Sequence, residues 1–394
     1  MKKFDEMAAQ LAALDDNKLR RRLVDFEPVT PARVRKDGKE YILFSSNNYL
    51  GLTHHETVMS QTREAVAYGT GSGGARLTSG NHSGYRLVEA KLAQFKETEA
   101  ALIFNTGYMA NLGIVSAMVG EQDIVFSDAL NHASIIDGCR LAKGKTVVYR
   151  HSDMDHLAEL LAVTPCAGQR FIVTDGVFSM DGDIAKLPEI VALGEQYDAL
   201  LMVDDAHATG VIGPGGKGTS AHFGLKGRIH LEVGTLSKSL AAEGGFVAGK
   251  TLLIDYLMNR SRSFIFSTAL APQTLAAAAA ALDVLVAEPE IVQILAAKSE
   301  YFKSLLQSYK VPIMMSETAI IPILIGDAAN TMEAAKRLEA AGLLVSAIRP
   351  PTVPQGSSRL RLTVTAAHSK DDLTVAAQKI GQVLQDMKLL TTDL

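Results

Sequence analysis

The surroundings of Lys238 favour covalent chemistry at its amine. The lysine lies within residues 234–245, a run of mostly small side chains that directly follows the apolar segment 229–233. Small neighbours leave room for a bulky carbonyl compound, and burial can lower a lysine pKa far enough for the amine to form a Schiff base. A solvated surface lysine is the alternative that this stretch alone leaves open, so the rest of the chain must decide between the two.

Six short apolar runs from about residue 100 onward are typical of buried strands. They cover residues 101–104, 124–126, 146–149, 171–173, 199–203 and 246–248. Helical patterns separate most of them, for example over residues 109–119 and 187–197. This alternation predicts an α/β fold with a largely parallel sheet covered on both faces by helices. Ligands of such sheets bind beyond the carboxyl ends of the strands, so the residues that follow each run are candidates for a site.

The residues that follow these runs supply groups that fit one ligand. Residues 105–111 open a helix, whose N-terminus suits a phosphate. His132 can stack on a flat ring, Asp204 can keep a pyridine nitrogen protonated, and His207 can donate to a ring oxygen. Each side chain alone could be structural, as a cap, a turn residue or a satisfied histidine. Together with an imine-forming lysine they meet the requirements of pyridoxal 5'-phosphate, which we predict as the cofactor.

Two glycine-rich stretches imitate nucleotide-binding motifs. Gly69, Gly71 and Gly74 have the spacing of the dinucleotide fingerprint G-x-G-x-x-G, but a helical pattern precedes them and a loop pattern follows. Residues 213–219 fail the Walker pattern, because Val211 stands where its first glycine belongs. We therefore predict no nucleotide site at either stretch.

Composition limits the partners of this chain. Its 394 residues are 47% hydrophobic and carry a formal net charge of -4, which argues against nucleic acid or an anionic membrane as the main partner. Two cysteines are too few for a disulfide framework or a thiolate metal cluster, which fits a reducing compartment. No apolar signal segment follows the N-terminus. We predict a cytoplasmic protein without a metal site.

Six apolar residues at roughly helical spacing predict an amphipathic helix over residues 1–25. They are Phe4, Met7, Leu11, Leu14, Leu19 and Leu23. The basic triplet at 20–22 can complement the helix C-terminus, hold an anionic substrate group or form a solvated face. The pattern alone favours the solvated face.

Residues 235–244 match the pyridoxal-phosphate attachment signature of class II aminotransferase-like enzymes. The wider chain, to about residue 385, resembles the α-oxoamine synthase family, whose members condense an amino acid with an acyl-CoA and lose carbon dioxide. Further hallmarks of the family stand at residues 46–52, 131–134, 175–182 and 204–207. The resemblance implies fold type I of pyridoxal-phosphate enzymes, a large domain with a mostly parallel, seven-stranded sheet between helices and a smaller C-terminal α+β domain.

The resemblance and a change of pattern after residue 288 together predict the domain division. We expect an N-terminal helical segment at 1–45, a large cofactor-binding domain at 46–280 and a C-terminal domain at 281–394. Within the last unit, the apolar stretches are 312–315, 320–325 and 359–364.

The resemblance also implies the roles of cofactor-binding residues. Lys238 would hold the cofactor, Asp204 would pair with its pyridine nitrogen, and His132 would stack on the ring and touch the substrate. The ring-oxygen region would be contacted by His207 and Ser179. The phosphate would be bound by Gly107, Tyr108 and Thr235, with Ser267 and Thr268 reaching it from the other subunit of a homodimer.

Substrate contacts are implied in the same way. Arg361 and Asn47 would take the amino-acid carboxylate, whose planar shape suits a guanidinium. Thr352 and Arg20 would contact the acyl donor. These assignments make L-alanine and an acyl-CoA the expected small-molecule partners.

Residues 347–354 and 358–363 most resemble family members that condense L-alanine with a pimeloyl thioester in biotin biosynthesis. Relatives that use glycine with acetyl-CoA, or serine with palmitoyl-CoA, differ in this segment. Residues 74–81 depart from some members, which have a shorter, more glycine-rich loop, so acyl-chain selectivity stays open. The alternatives are a sibling enzyme such as a glycine C-acetyltransferase, a bifunctional member, or a non-catalytic cofactor-binding module.

Overall fold

The computed structural model describes residues 1–16, 20–21 and 23–390. Fourteen strands lie within these residues: β1 (Glu27–Thr30), β2 (Arg33–Lys36), β3 (Lys39–Leu43), β4 (Ala100–Phe104), β5 (Ile124–Asp128), β6 (Lys145–Tyr149), β7 (Arg170–Asp175), β8 (Ala199–Asp204), β9 (Leu231–Thr235), β10 (Gly245–Gly249), β11 (Ile320–Gly326), β12 (Leu343–Leu344), β13 (Ser346–Ile348) and β14 (Ser358–Thr363).

Fourteen α-helices lie in the same described ranges. They are α1 (Lys2–Asp16), α2 (Glu56–Glu64), α3 (Ser83–Lys96), α4 (Gly107–Met118), α5 (Ala133–Leu141), α6 (Met154–Val163), α7 (Leu187–Gln196), α8 (Thr219–His222), α9 (Thr251–Arg260), α10 (Arg262–Ile265), α11 (Pro272–Ala287), α12 (Glu290–Ser308), α13 (Ala328–Ala340) and α14 (Lys370–Asp386). Among them, none combines the length and the apolarity needed to cross a membrane.

The predicted seven-stranded sheet is confirmed, in the order β4-β10-β9-β8-β7-β5-β6. Its pairs are parallel except for β10, which runs antiparallel to both of its neighbours. Alternate strand residues face different helical layers, as the two-residue period of a strand requires. Phe171 and Val173 pack in a core with α4, α5 and α9, whereas Ile172 packs with α6 and α7. The apolar runs are therefore continuous because both faces of the sheet are covered.

The carboxyl ends of the parallel strands bring polar residues to one edge of this sheet. Asp128, Asp175, Asp204 and Thr235 are the last residues of β5, β7, β8 and β9. Asp175 and Asp204 lie side by side in the ladder between their strands. This edge is where the sequence predicts the ligand site.

A second, antiparallel sheet has the order β11-β14-β13 and packs against the C-terminal helices. Its two longer strands correspond to the apolar stretches 320–325 and 359–364. Residues 312–315 form only an isolated bridge, between Ile313 and Ile323. Pro312 lacks an amide hydrogen, which disfavours a regular ladder there.

The prediction of a helical segment over residues 1–45 is wrong for its second half. Residues 27–43 form β1, β2 and β3, and β3 pairs in parallel with β12 near the other end of the chain. The turn between β2 and β3 is Asp37-Gly38, and both residues have positive φ, at 50° and 75°. Asp-Gly is a strong signal for a two-residue hairpin turn, and the sequence interpretation passed over it. The other boundary, at 280, stays a prediction.

The predicted helix over residues 1–25 is also shorter in the structure. Helix α1 ends at Asp16, and Leu23 is fully exposed outside it. Asp15 and Asp16 put negative charge at the carboxyl end of the helix, where the dipole disfavours it. Residues 17–19 and 22, which include the predicted Leu19 and the last arginine of the triplet, lie outside the described residues.

Candidate functional site

A cavity of about 220 Å³ opens at the carboxyl edge of the large sheet. Eight of the predicted site residues line it: Gly107, Tyr108, His132, Ser179, Asp204, His207, Thr235 and Lys238. They come from segments that are separated by up to 131 residues in sequence, between positions 107 and 238. The sheet topology brings them together, because each follows the end of a strand that runs toward this edge.

Lys238 lies in the connection between β9 and β10. Backbone hydrogen bonds close this connection, with Leu236 N donating to Gly244 O at 3.0 Å and Ala242 N donating to Leu236 O at 2.9 Å. Gly244 has φ 126°, a conformation that side-chain-bearing residues rarely adopt, so a glycine is required there. The small residues of this stretch thus serve to fold a tight loop that holds the lysine at a fixed place.

The Lys238 amine faces His207, with Nζ 2.8 Å from Nε2. Burial lowers the pKa of Lys238 to about 8, although the charges of Asp204 and Asp175 act in the opposite direction. A lysine whose pKa lies near 8 has a neutral, nucleophilic fraction at neutral pH, which a solvated lysine lacks. These surroundings favour the imine-forming interpretation over the surface lysine.

Asp204 is buried and held by two donors. Asn111 Nδ2 donates to one carboxylate oxygen at 2.5 Å, and the backbone N of Ala206 donates to the other at 2.9 Å. Its ladder neighbour Asp175 has a pKa raised well above the usual range, first by burial and then by the charge of Asp204. Two adjacent carboxyls in different environments can hold different protonation states. The raised pKa makes Asp175 the carboxyl of this pair that burial favours in its protonated form.

His132 begins the helix that follows β5. Its backbone N donates to Asp175 Oδ2 at 2.8 Å, and its Nδ1 lies 2.7 Å from the hydroxyl of Ser134. Both contacts hold His132 at the cavity wall, where the residue is exposed. This position agrees with the predicted stacking role, which remains a prediction.

The N-terminus of α4 forms another wall of the cavity. Thr106 caps the helix by accepting a hydrogen bond from Met109 N at 3.0 Å, and Gly107 and Tyr108 follow it. The amides of a first helical turn have no partner within the helix and suit an anion. The Tyr108 hydroxyl is already engaged, because it donates to Asp137. Its expected contribution to a phosphate site is therefore its backbone amide.

Thr235 lies beside this helix end. Its hydroxyl group is 2.7 Å from the Ser237 hydroxyl and donates to Gly244 O at 2.8 Å. A Cβ at Gly107 would lie 3.5 Å from Thr235 Cβ, so the two residues are close neighbours. The predicted phosphate cradle is thus assembled from α4 and the end of β9.

Arg361 and Asn47 are brought together as predicted. Arg361 Nη2 donates to Asn47 Oδ1 at 3.2 Å, and Arg361 Nε donates to Ser179 O at 2.5 Å. The second contact joins β14 to the loop that carries Ser179 at the cavity wall. The guanidinium therefore lies next to the cavity although it does not line it.

Arg20 and Thr352 lie elsewhere, on a separate surface cavity of about 850 Å³. They share it with Arg21, Lys336 and Arg349, so its lining carries much positive charge. Arg20 also forms an ion pair with Asp15, at 2.6 Å. The structure thus unites the two predicted acyl-donor residues with each other but not with the Lys238 cavity.

Ser267 and Thr268 do not line the Lys238 cavity of their own chain. The Ser267 hydroxyl donates to Ser263 O at 2.6 Å, and Thr268 O accepts from Asn105 Nδ2 at 2.5 Å. Their assignment to the site of another subunit stays a prediction.

Comparison with known proteins decides the family. Residues 39–380 match the family described as aminotransferase class I and II. The 8-amino-7-oxononanoate synthase of Lysinibacillus sphaericus is 46% identical over 98% of this chain and 100% of its own length. The chain belongs to the aminotransferase class I and II family. The resemblance to α-oxoamine synthases is thereby confirmed.

Two further relatives extend the comparison. The 8-amino-7-oxononanoate synthase of Geobacter sulfurreducens is 48% identical over 98% of this chain and 99% of its own. A solved serine palmitoyltransferase with pyridoxal phosphate is 31% identical, with a TM-score of 0.93 and 99% of each chain covered. The fold of this family member is therefore that of the pyridoxal-phosphate transferases.

Sequence reasoning assigned no role to four further residues at the site. Asn111, Ser134 and Asp175 line the cavity, and Tyr49 contacts His207 from behind it. Asp175 ends an apolar run as Asp204 does, so its position was a usable signal. Asn111 lies four residues into the helix after Gly107, on the turn that faces the sheet, and only the packing of α4 shows that it reaches Asp204.

Proposed function

We propose that this protein condenses L-alanine with a pimeloyl thioester and releases carbon dioxide and the thiol carrier, giving 8-amino-7-oxononanoate for biotin biosynthesis. The observation that carries the proposal is the convergence of eight predicted residues on one cavity around an amine of lowered pKa. Full-length relatives of that name, at 44–49% identity, support the same substrates.

The groups around the cavity fit pyridoxal 5'-phosphate. A lysine amine, an anionic carboxylate, a neutral imidazole and a helix N-terminus are the groups that its aldehyde, ring nitrogen, ring oxygen and phosphate need. Lys238, Asp204, His207 and Gly107 supply them in that order. When bound, this cofactor provides an electron-withdrawing ring that stabilises negative charge at the amino acid's α-carbon.

Lys238 has two roles in this scheme. Its amine anchors the cofactor between turnovers, and once free it removes the proton from the α-carbon of L-alanine as a general base. A base works best when its pKa lies near the working pH, and burial brings Lys238 to about 8. The tight loop between β9 and β10 keeps the amine at the cavity floor for both roles.

The remaining residues hold and orient the reactants. Asp204, held by Asn111 and the backbone of Ala206, would pair with the ring nitrogen of the cofactor. Arg361 and Asn47 bind the alanine carboxylate, for which the planar guanidinium offers two parallel donors. The positively charged cavity with Arg20 and Thr352 receives the acyl donor, whose thioester must extend from there to the Lys238 cavity.

A coenzyme A release assay tests this proposal. The cofactor-loaded protein is given L-alanine with pimeloyl-CoA, glycine with acetyl-CoA, or L-serine with palmitoyl-CoA, and pimeloyl carrier protein replaces pimeloyl-CoA in a fourth reaction. We expect the highest kcat/KM with L-alanine and a pimeloyl donor. A preference for either other pair would contradict the substrate assignment while leaving the cofactor chemistry in place.

The proposal includes a homodimer in the cytoplasm. Ser267 and Thr268 lie away from the cavity of their own chain, which supports their use by a partner chain. Both cysteines are free, which fits a reducing compartment. Mixing two inactive proteins, Lys238→Ala and Thr268→Arg, should restore part of the activity if mixed dimers form one complete site. No recovery after verified subunit exchange would contradict the shared site.

A further inference from the structure

Tyr49 lies behind the cavity and touches the residue that faces Lys238. Its hydroxyl oxygen is 2.6 Å from His207 Nδ1, while His207 Nε2 is 2.8 Å from Lys238 Nζ. The phenol is completely buried, and its ring meets the imidazole edge-on at a centroid distance of 6.0 Å. A continuous path of two hydrogen bonds therefore joins Tyr49 to the lysine amine.

The direction of these hydrogen bonds depends on where the single proton of a neutral His207 resides. Burial, followed by the charges of Lys238 and Arg361, lowers the pKa of His207 well below its ordinary value, so the imidazole is neutral. A neutral imidazole carries its proton on one nitrogen and accepts at the other. In one arrangement, Nδ1 accepts from the phenol and Nε2 donates into the cavity. In the other, Nδ1 donates to the phenol and Nε2 accepts.

The burial of the phenol distinguishes the two directions. Within the described residues, the hydrogen bond of the Tyr49 hydroxyl is the one to His207 Nδ1. If Nδ1 donated to the phenol oxygen, the phenol hydrogen would remain buried without an acceptor, which is unfavourable. Donation from Tyr49 to Nδ1 satisfies both groups.

We propose that Tyr49 is a positioning residue that holds His207 in the tautomer with its proton on Nε2. This tautomer presents an N-H donor to the cavity, where the ring oxygen of the cofactor is expected, so the role rests on the proposed function. A donor at this place stabilises the ionised ring oxygen.

Nitrogen NMR of the full-length, cofactor-free protein tests the tautomer directly. The ten histidines are labelled with ¹⁵N, and His207→Asn identifies the resonances of His207. The measurement is made at about one pH unit above the Lys238 pKa of about 8, where the amine is neutral and accepts. We expect the proton on Nε2 and an unprotonated Nδ1. A proton found on Nδ1 would overturn the proposal, and this result does not depend on whether the enzyme turns over.

Tyr49→Phe tests the consequence while the aromatic packing is kept. We expect both tautomers to be populated, and the ratio of ionised to neutral ring oxygen in the bound cofactor to fall about threefold to tenfold, the usual worth of one neutral hydrogen bond. The absorbance of the cofactor-loaded enzyme reports this ratio. Tyr301→Phe is the matched control, because it removes a phenol hydroxyl that lies 2.9 Å from the Thr374 hydroxyl, between α12 and α14 and away from the cavity.

The two variants separate a positioning role from general loss of stability. Tyr301→Phe should keep both the parent spectrum and the parent His207 resonances. A Tyr49→Phe protein with the parent tautomer and the parent spectrum would show that the phenol has no such role. Failure of the parent to use L-alanine would contradict the proposed function alone, since the tautomer is measured without substrate.

Discussion

Lys96 and Lys238 are both enclosed by the protein, yet their surroundings have opposite effects on their amines. Lys96, at the end of α3, forms ion pairs with Asp205 at 2.7 Å and Glu232 at 3.0 Å. Burial acts to lower its pKa, but the two carboxylates outweigh burial, so the pKa is raised. Lys238 has an imidazole in contact instead of a carboxylate, and its pKa falls to about 8.

The comparison shows that the contacting partner, more than burial, decides what a buried lysine can do. Lys96 is held as a permanent cation and completes its hydrogen bonding with Lys217 O, at 2.6 Å. Its partner Asp205 directly follows the cavity residue Asp204, so the ion pair fixes the start of the turn that carries His207. Lys96 thus stabilises the fold next to the site, whereas the amine of Lys238 remains available as a nucleophile.

The largest effect is expected from Lys238→Ala. Turnover should fall by about 10³-fold or more, because both the cofactor anchor and the general base are removed. The free energy of unfolding of the cofactor-free protein at pH 7 should stay equal or rise, since a buried cation without a carboxylate partner is lost. Steady-state kinetics and urea unfolding measure the two quantities. Lys250→Ala, an exposed lysine after β10, is the control; a variant at Lys238 with parental kcat would contradict the assignment.

Lys96→Met should mainly lower the free energy of unfolding, whereas Lys238→Ala mainly lowers turnover. It leaves Asp205 and Glu232 buried without their cation, and breaking such a pair costs about 3 to 5 kcal/mol of stability. Lys91→Met on the same helix removes only the partly exposed pair with Asp283, for which we expect about 0 to 1 kcal/mol. Urea unfolding of both variants is the measurement. Equal losses of unfolding free energy in the two variants would show that the buried ion pairs of Lys96 stabilise the fold no more than the partly exposed pair of Lys91 does.

The pH dependence of stability should carry the signature of Lys238. Its pKa is lowered on folding, so the unfolded chain binds more protons between about pH 8 and the ordinary lysine value near 10.5. In this window the contribution of Lys238 makes the cofactor-free protein more stable as pH rises. The difference in unfolding free energy between parent and Lys238→Ala should therefore shift in favour of the parent from pH 8 to 10.5. A constant difference would mean that the amine has an ordinary pKa.

His151, which lies closer to the surface, is a third titratable group whose neighbours change its pKa. It lies 3.0 Å from both Asp128 and Asp183, and although burial acts against it, these carboxylates raise its pKa to about 10. Its stabilising contribution is complete below the unfolded value near 6.5 and is lost as pH rises toward 10.

His151→Gln should consequently cost about 1 to 2 kcal/mol at pH 6, a value discounted for solvent screening, and almost nothing near pH 10. Thermal or urea unfolding at the two pH values measures the change. His222→Gln, at an exposed histidine, should show no such dependence. A cost for His151→Gln that is equal at both pH values would indicate a packing role instead of an ion-pair role.

The large sheet could be predicted from the sequence because its signal is local. Each strand is a short apolar run, and each of the strands that run parallel to one another ends at, or is followed by, a polar residue at the same edge. In the N-terminal part, the apolar residues 41–44 predict the strand that the structure has as β3, but β1 and β2 were missed. Their sheet is completed by β12, about 300 residues away, and residues 27–40 were read without the Asp37-Gly38 turn that closes the hairpin.

The candidate site likewise combines residues with a local sequence signal and residues whose role depends on distant contacts. Lys238, Asp204 and His207 lie in recognisable motifs, so their types and positions could be read directly. Asn111 and Tyr49 act through contacts that only the packing of α4 and of residues 46–52 creates. The sequence likewise did not show that the Lys238 cavity and the Arg20 cavity are separate, because resemblance of motifs carries no information about their positions in space.

The pairing of β3 with β12 has a consequence for synthesis of the chain. At about 5 to 20 residues per second, a ribosome needs roughly 15 to 60 s to travel from β3 to its partner strand. During that interval the hairpin of β2 and β3 presents an open edge, on which nascent chains could associate. The open edge belongs to β3, and Arg33, Arg35 and Lys36 on the neighbouring strand β2 give the hairpin positive charges that disfavour association of like chains. Two of these charges later pair with Asp372 and Glu339, so the residues that keep the nascent hairpin apart from other chains finally fasten it to the completed C-terminal half.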